Sequence, residues 1–193
     1  MTRRLRSLTT DLIVAAATVP VGGPRAIVRL AGDRLTDVLT ALVEPEAGGF
    51  AEIGERPRVV SGRLHPEGIG REWGCVPLYV LHWPGPAGPT GGPLAELQLP
   101  GSPPLVDAVI TEACRLGARL ARPGEFSLRS FLAGRIDLLQ AEAVLAVVDA
   151  RTPAELSAAL DRMAGGVGRD LERQRQQLLD LVADVEAGID FAD

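Results

Sequence analysis

The chain changes its rhythm once. Through its first half, apolar residues come in short runs or alternate with polar ones, broken by Pro and Gly. Through its second half they recur every three to four positions. Leu12 to Ala17 reads as a short buried strand, Val19 to Pro24 as a turn, and Ala26 to Ala31 as a second strand. Gly32 and Asp33 open a helix, with Asp33 the candidate N-cap and Leu35, Val38, Leu39 and Leu42 along one face. Glu44 to Pro57 reads as loop. Arg58 to Leu64 and Cys75 to Trp83 form a strand pair around the Pro66–Gly70 turn. Pro84 to Pro93 is a Pro/Gly-dense loop, and Leu94 to Leu99 a further strand. Pro104 to Ala121 has helical spacing at Leu105, Val109, Ala113 and Leu116. The predicted order is β-β-α-β-β-β-α, an α+β domain.

From Pro123 onward the pattern is helical. Segments are predicted over Glu125–Ala133, Asp137–Ala150, Pro153–Ala164 and about Gly168–Ile189. Asp137 can cap its own helix. Thr152 before Pro153, with Glu155 at capping-box spacing, marks the next start. The last helix carries Leu171, Leu178, Val182, Val185 and Ile189 as a stripe that needs other helices to bury it. The expected organisation is a mixed-sheet domain over residues 1–121, then an incomplete all-α region over residues 122–193. The stripe is completed by further helices or by a second subunit.

Composition narrows the chemistry. Of the 193 residues, 46% are hydrophobic but only 4% aromatic, so the core must be built from Leu, Val, Ile and Ala. All 20 basic residues are arginine. A standard phosphate-binding P-loop needs a lysine to reach the β and γ phosphates, so this chain carries no such GTP site. The net charge of −5 argues against tight nucleic-acid binding by the chain as a whole. Two cysteines without a CxxC spacing and two isolated histidines make no metal site. The basic Met1–Arg6 segment before an apolar run imitates a secretory leader. Asp11 interrupts that junction and the run is short, so the expected location is cytoplasmic. No stretch approaches the ~20 apolar residues of a membrane span.

Two charged residues stand out from the strand pattern. Period-two alternation puts Glu96 on one face with Leu94 and Gln98, opposite Ala95, Leu97 and Leu99. It puts Arg29 with Ile27 and Ala31, an apolar neighbourhood in which a guanidinium must find an acceptor or a wet edge. Spacing alone leaves Glu96 open between a solvent-facing residue and a site residue, and Arg29 open between a site residue and an edge position. Arg119, Arg122 and Arg129 read as a solvated helix face with Glu125 as local partner, the alternative being a basic surface toward tRNA or a polyglutamate tail.

Three segments carry a family resemblance. DLIVAAATVPVGGPRAIVRLAG (Asp11–Gly32), RLGARLARPGEFSLRSFLAGRIDLLQAEAVLAVVDA (Arg115–Ala150) and VEAGIDFAD (Val185–Asp193) resemble, in the same order, blocks of the MnmE/TrmE family of tRNA-modifying GTPases. The Arg-Pro-Gly-Glu-Phe turn and the Asp-Leu-x-Gln-Ala-Glu-Ala helix are the most specific part. The resemblance implies a folate-binding N-terminal domain that forms a homodimer, followed by a helical domain that a GTPase domain interrupts. No GTPase domain is expected in this chain. The cofactor implied is a tetrahydrofolate derivative, 5-formyl- or methylene-tetrahydrofolate, held by Arg29, Glu96 and Arg135. The family usually has Lys where Arg135 stands. No residue is expected to be catalytic. The partners implied are an MnmG-like flavoprotein and, through the full-length protein, tRNA at its wobble uridine.

The family pattern breaks in two places. A Thr-Gly-Glu-Asp run is replaced by Thr90-Gly91-Gly92-Pro93, and a His-Gly-Gly turn by Leu99-Pro100-Gly101-Ser102. The lost acids and histidine open an alternative: a dimeric, partner-binding scaffold that no longer binds folate. A stand-alone one-carbon transferase would need an acid–base set that the sequence does not show.

Overall fold

A computed structural model describes residues 10–19, 21–50, 56–65, 74–163 and 166–190. The Met1–Arg6 segment and the Pro66–Gly70 turn lie outside the described residues. The chain separates into two compact units, residues 1–135 and 136–193.

The first unit is a seven-stranded mixed sheet of order β3-β4-β5-β6-β2-β1-β7. Its strands are β1 (Ile13–Ala16), β2 (Gly23–Ala31), β3 (Val43–Pro45), β4 (Arg58–Leu64), β5 (Pro77–Trp83), β6 (Leu94–Gly101) and β7 (Arg119–Leu120). Neighbours are antiparallel except β1 and β7, which run parallel. Helices α1 (Leu35–Leu42) and α2 (Pro103–Arg115) face the main core, and α3 (Glu125–Leu132) follows β7. Alternation sends Val14, Val28, Leu30, Val80, Leu97 and Leu99 into that core. There they meet Leu35, Val38, Leu39 and Leu42 of α1 and Leu105, Val109 and Ala113 of α2. The opposite face keeps a smaller cluster of Ile13, Ala31 and Leu94 against Trp83, Ala121 and Phe126.

The α+β reading holds, with four local corrections. Asp33 does not cap α1. The N-cap is Arg34, in a left-handed conformation at φ 62° with no side-chain cap bond, and the Asp33 amide instead donates to the Thr10 carbonyl at 2.8 Å. Gly32 explains why the chain turns so tightly there. At φ 132°, a Cβ would come within 2.2 Å of the Asp11 carbonyl oxygen. The segment expected to be loop from Glu44 begins inside β3, which pairs with β4. The helix expected to reach Ala121 stops at Arg115, because Gly117 takes φ 106° and returns the chain to the sheet. Arg119 and Ala121 then donate to the carbonyls of Leu12 and Val14, forming β7. For the same reason the first unit runs through Arg135, past the expected division at 121/122. Strand β7 pairs with β1, and Arg129 of α3 bonds the carbonyls of Asp11, just before β1, and of Ala31 in β2.

The second unit contains α4 (Leu138–Asp149), α5 (Pro153–Met163) and α6 (Gly166–Asp190). Asp137 and Gln140 form a reciprocal capping box at the start of α4. The Thr152 hydroxyl accepts from the Glu155 amide at 3.2 Å, while the Glu155 carboxylate accepts from Arg151 N, one residue before the cap. Helices α4 and α5 pack as a hairpin in which Ala143 and Ala159 are buried. Small residues allow that close approach but bury little apolar area. Along α6, Leu171, Leu178, Leu179, Val182 and Val185 are exposed and Leu178 keeps 64% of its surface, so these members of the predicted stripe are uncovered within this unit, while the Ile189 side chain lies outside what is described.

Candidate functional site

The site is built on the sheet face turned away from α1 and α2. Register fixes which side chains share it, because directly paired residues point the same way. The middle row reads Leu81, Glu96, Arg29 and Ala15 across β5, β6, β2 and β1. The row towards α3 reads Trp83, Leu94, Ala31 and Ile13. The row on the other side reads Tyr79, Gln98 and Ile27.

Arg29 and Glu96 are direct cross-strand partners. The Arg29 guanidinium donates from Nε at 2.9 Å and from Nη2 at 2.6 Å, both to Oε1 of Glu96. This arrangement leaves Oε2 as an acceptor for another donor. The pair is partly open to solvent, with side-chain exposures of 36% and 15%. Phe126, from the first turn of α3, lies over it: the Arg29 Cζ is 5.5 Å from the ring centroid, within cation–π range. One position along, Arg25 donates to Oε1 of Gln98 at 2.9 Å. The face thus presents a carboxylate acceptor, guanidinium donors and a flat apolar ring together. Those groups suit a planar heterocycle with an N–H edge.

Arg135 is bonded not to that pair but to the Pro86 carbonyl oxygen, through Nη2 at 2.5 Å. Its contact ties the end of α3 to the Pro84–Pro93 loop. Gly91 makes the same junction from the other side. It has φ 74°, and a Cβ there would lie 2.2 Å from that of Ala133. Alongside runs a recess of about 460 Å³ lined by residues that include Asp33, Pro86, Gly91, Arg129 and Ala133.

The sequence reading missed what fixes α3. Arg129 is 2% exposed and Glu125 4%, so these residues are core rather than solvated helix surface. Arg119 grips Glu125 through two bonds, Nη1 to Oε2 at 2.9 Å and Nη2 to Oε1 at 2.6 Å. Its Nε donates to the Asp11 carboxylate at 3.1 Å. Arg129 donates to the carbonyls of Asp11 and Ala31 at 2.8 and 3.2 Å, and to Glu125 Oε1 at 3.3 Å. The Arg122 amide also bonds Glu125, at 2.9 Å. The Arg119 hydrogen bonds lead the effects that hold the Glu125 carboxyl down to about 2, against the opposing cost of burial. Burial pushes the Arg129 guanidinium below its usual value, partly offset by Glu125. Glu125 as a local partner was legible from its proximity in sequence. The carbonyls of Asp11 and Ala31 were not. Among the described residues no cluster of His, Cys, Asp and Glu could hold a metal ion, and no helix is long and apolar enough to cross a membrane.

Comparison with known proteins gives this architecture a lineage. The family model described as GTP-binding protein TrmE N-terminus matches residues 12–135, and the MnmE helical domain matches residues 138–193. A tRNA modification GTPase MnmE from Rhodopirellula baltica is 46% identical over 95% of this chain and 38% of its own length. Proteins of the same name from Synechococcus sp. (strain JA-3-3Ab) and Koribacter versatilis are each 38% identical, over 94% and 95% of this chain and 39% of their own lengths. The chain therefore spans about two fifths of the length of these relatives. With its first unit matching one family model and its second matching the other, the chain belongs to the MnmE/TrmE family.

Proposed function

We propose that this chain binds a tetrahydrofolate one-carbon donor, 5-formyl- or methylene-tetrahydrofolate, on the open face of its sheet. In this reading it forms a homodimer and serves as the N-terminal part of a cytoplasmic protein for wobble-uridine modification of tRNA, acting with an MnmG-like flavoprotein. The observation that carries the folate reading is the Arg29–Glu96 pair beneath Phe126. Glu96 Oε2 accepts an N–H of the pterin edge, Arg29 keeps the carboxylate aligned, and Phe126 offers an apolar surface to the ring. Arg135, at the mouth of the Pro84–Pro93 loop, donates to a ligand oxygen once it leaves Pro86. The tRNA reading rests on membership of the family and on relatives whose names state that activity. GTP hydrolysis is not assigned to this chain, which has no lysine for a standard P-loop.

The test is a calorimetric titration with 5-formyltetrahydrofolate of the wild type, Glu96→Ala and Arg29→Ala. Saturable binding is expected, weakened roughly tenfold or more by either substitution, as for lost hydrogen bonds to a charged group. A folded, dimeric wild type that takes up no ligand overturns the folate reading. The loop Thr90-Gly91-Gly92-Pro93 and the turn Leu99-Pro100-Gly101-Ser102, which lack acids and histidine, favour a second reading. That reading is a dimeric scaffold that keeps its partner surface and has lost folate, and a null titration leaves it in front.

A further inference from the structure

The open sheet face has two ends, and they differ. Towards α3 the apolar row of Trp83, Leu94, Ala31 and Ile13 is covered by Phe126 and Ala121. Arg135 there is already engaged by Pro86. Away from α3 the row of Tyr79, Gln98 and Ile27 is uncovered, and Tyr79 keeps 50% of its surface. At that end Arg25 is exposed and makes one bond, from Nη1 to Gln98 Oε1. The bond takes one lone pair of the Gln98 amide oxygen. It leaves the Nε2 donors of Gln98 and the Nε and Nη2 donors of Arg25 for something else. Two neighbouring side chains with free N–H donors, one of them a guanidinium, form a reader of carboxylate oxygens. They border a recess of about 290 Å³ shared with Tyr79 and Pro24.

Resting on the folate reading above, we propose that Arg25 and Gln98 form the subsite for the glutamate tail, and that the ligand lies along β2 from Arg29 to Arg25. Those two residues are four positions apart, at most about 13 Å of extended strand. That span, lengthened by the two side chains, is comparable with the reach of the aminobenzoyl bridge from a pterin to its glutamate carboxylates. Ile27, Tyr79 and Leu81 supply the apolar and aromatic surface between. A chain of γ-linked glutamates continues past Arg25 into the recess. Glu46 on the recess wall limits how many carboxylates the recess admits.

The experiment compares three probes by titration: 5-formyltetrahydropteroate, which has no tail, 5-formyltetrahydrofolate, and its triglutamate. The proteins are the wild type, Arg25→Gln and Arg135→Gln, each first shown to be folded by circular dichroism. In the wild type the triglutamate is expected to bind about tenfold tighter than the tail-less probe, the scale of one charge-assisted contact. Arg25→Gln removes that advantage and leaves the tail-less probe unchanged, while Arg135→Gln preserves the advantage. Equal wild-type affinity for all three probes overturns the tail subsite and leaves the folate reading intact. Loss of the advantage in Arg135→Gln, with Arg25→Gln retaining it, moves the tail to the other end and overturns the proposal. Absence of binding by all three overturns both readings together.

Discussion

The two faces of the sheet are held by different physics. One face is sealed by α1 and α2 through apolar side chains, mostly Leu, Val and Ala with Phe50, apart from His82. The other is held at one end by α3, which is anchored less by apolar area than by Arg119, Glu125, Arg129 and Asp11. The apolar seal is tolerant of direction, whereas the ionic clamp fixes the helix to specific oxygens. A fixed helix is what a ligand face requires, because the position of Phe126 over Arg29 depends on where Glu125 and Arg129 are held.

The largest effect should come from breaking the clamp. Arg129→Met leaves Glu125 buried with only part of its counter-charge and is expected to cost about 3–5 kcal/mol, read from the urea midpoint. It should also weaken folate binding although Arg129 does not touch the Arg29–Glu96 pair. A variant with near-wild-type stability would show that apolar packing, not the clamp, holds α3. Next comes Leu97→Ala on the sealed face, expected at about 2–5 kcal/mol. Its counterpart on the open face, Ile27→Ala, should be much milder, and equal costs would erase the contrast between the faces.

Acid separates the two faces more finely. His82 is 1% exposed, meets the Phe50 ring edge-on at 5.9 Å, and has no hydrogen-bond partner for either ring nitrogen among the described residues. Burial pushes its imidazole below the ordinary value of 6.5. The folded state therefore resists a proton that the unfolded chain accepts, and stability falls as pH drops below about 6.5, until the folded imidazole also titrates. Glu125 acts in the same direction in a lower window. Its contribution is complete above the unfolded value of 4.5 and fades as pH falls towards about 2. Melting temperature followed from pH 7 to 3 should show two losses, and His82→Leu should remove the upper one alone. Persistence of the upper loss in that variant would place its origin elsewhere.

Legibility in the sequence followed range. The faces of β2 and β6 were readable from period-two alternation within each strand, but only the register puts Arg29 and Glu96 on one surface as partners. The caps at Asp137 and Thr152 were readable because each bond spans three residues. Arg129 was not, since the carbonyls that receive it lie 118 and 98 residues away in sequence. Strand β7 is two residues long and carries no period, and its helix-like composition hid the turn at Gly117. The left-handed Arg34 was invisible because Asp33 offered a better cap than the one the chain uses. Family resemblance named Arg135 but could not say that Pro86 holds it.

Strand order also sets a timetable for the chain during synthesis. The β1–β2 hairpin is made first, yet β2 finds its second neighbour only when β6 is complete, with Glu96 joining Arg29 across 67 positions. The far edge of β1 waits longer still, for Arg119 to reach it. Until then a nascent chain carries an apolar hairpin with two open edges, the kind of surface that recruits other strands. The sheet therefore begins as a long-range closure problem, and its folding rate should be set by topology more than by helix strength.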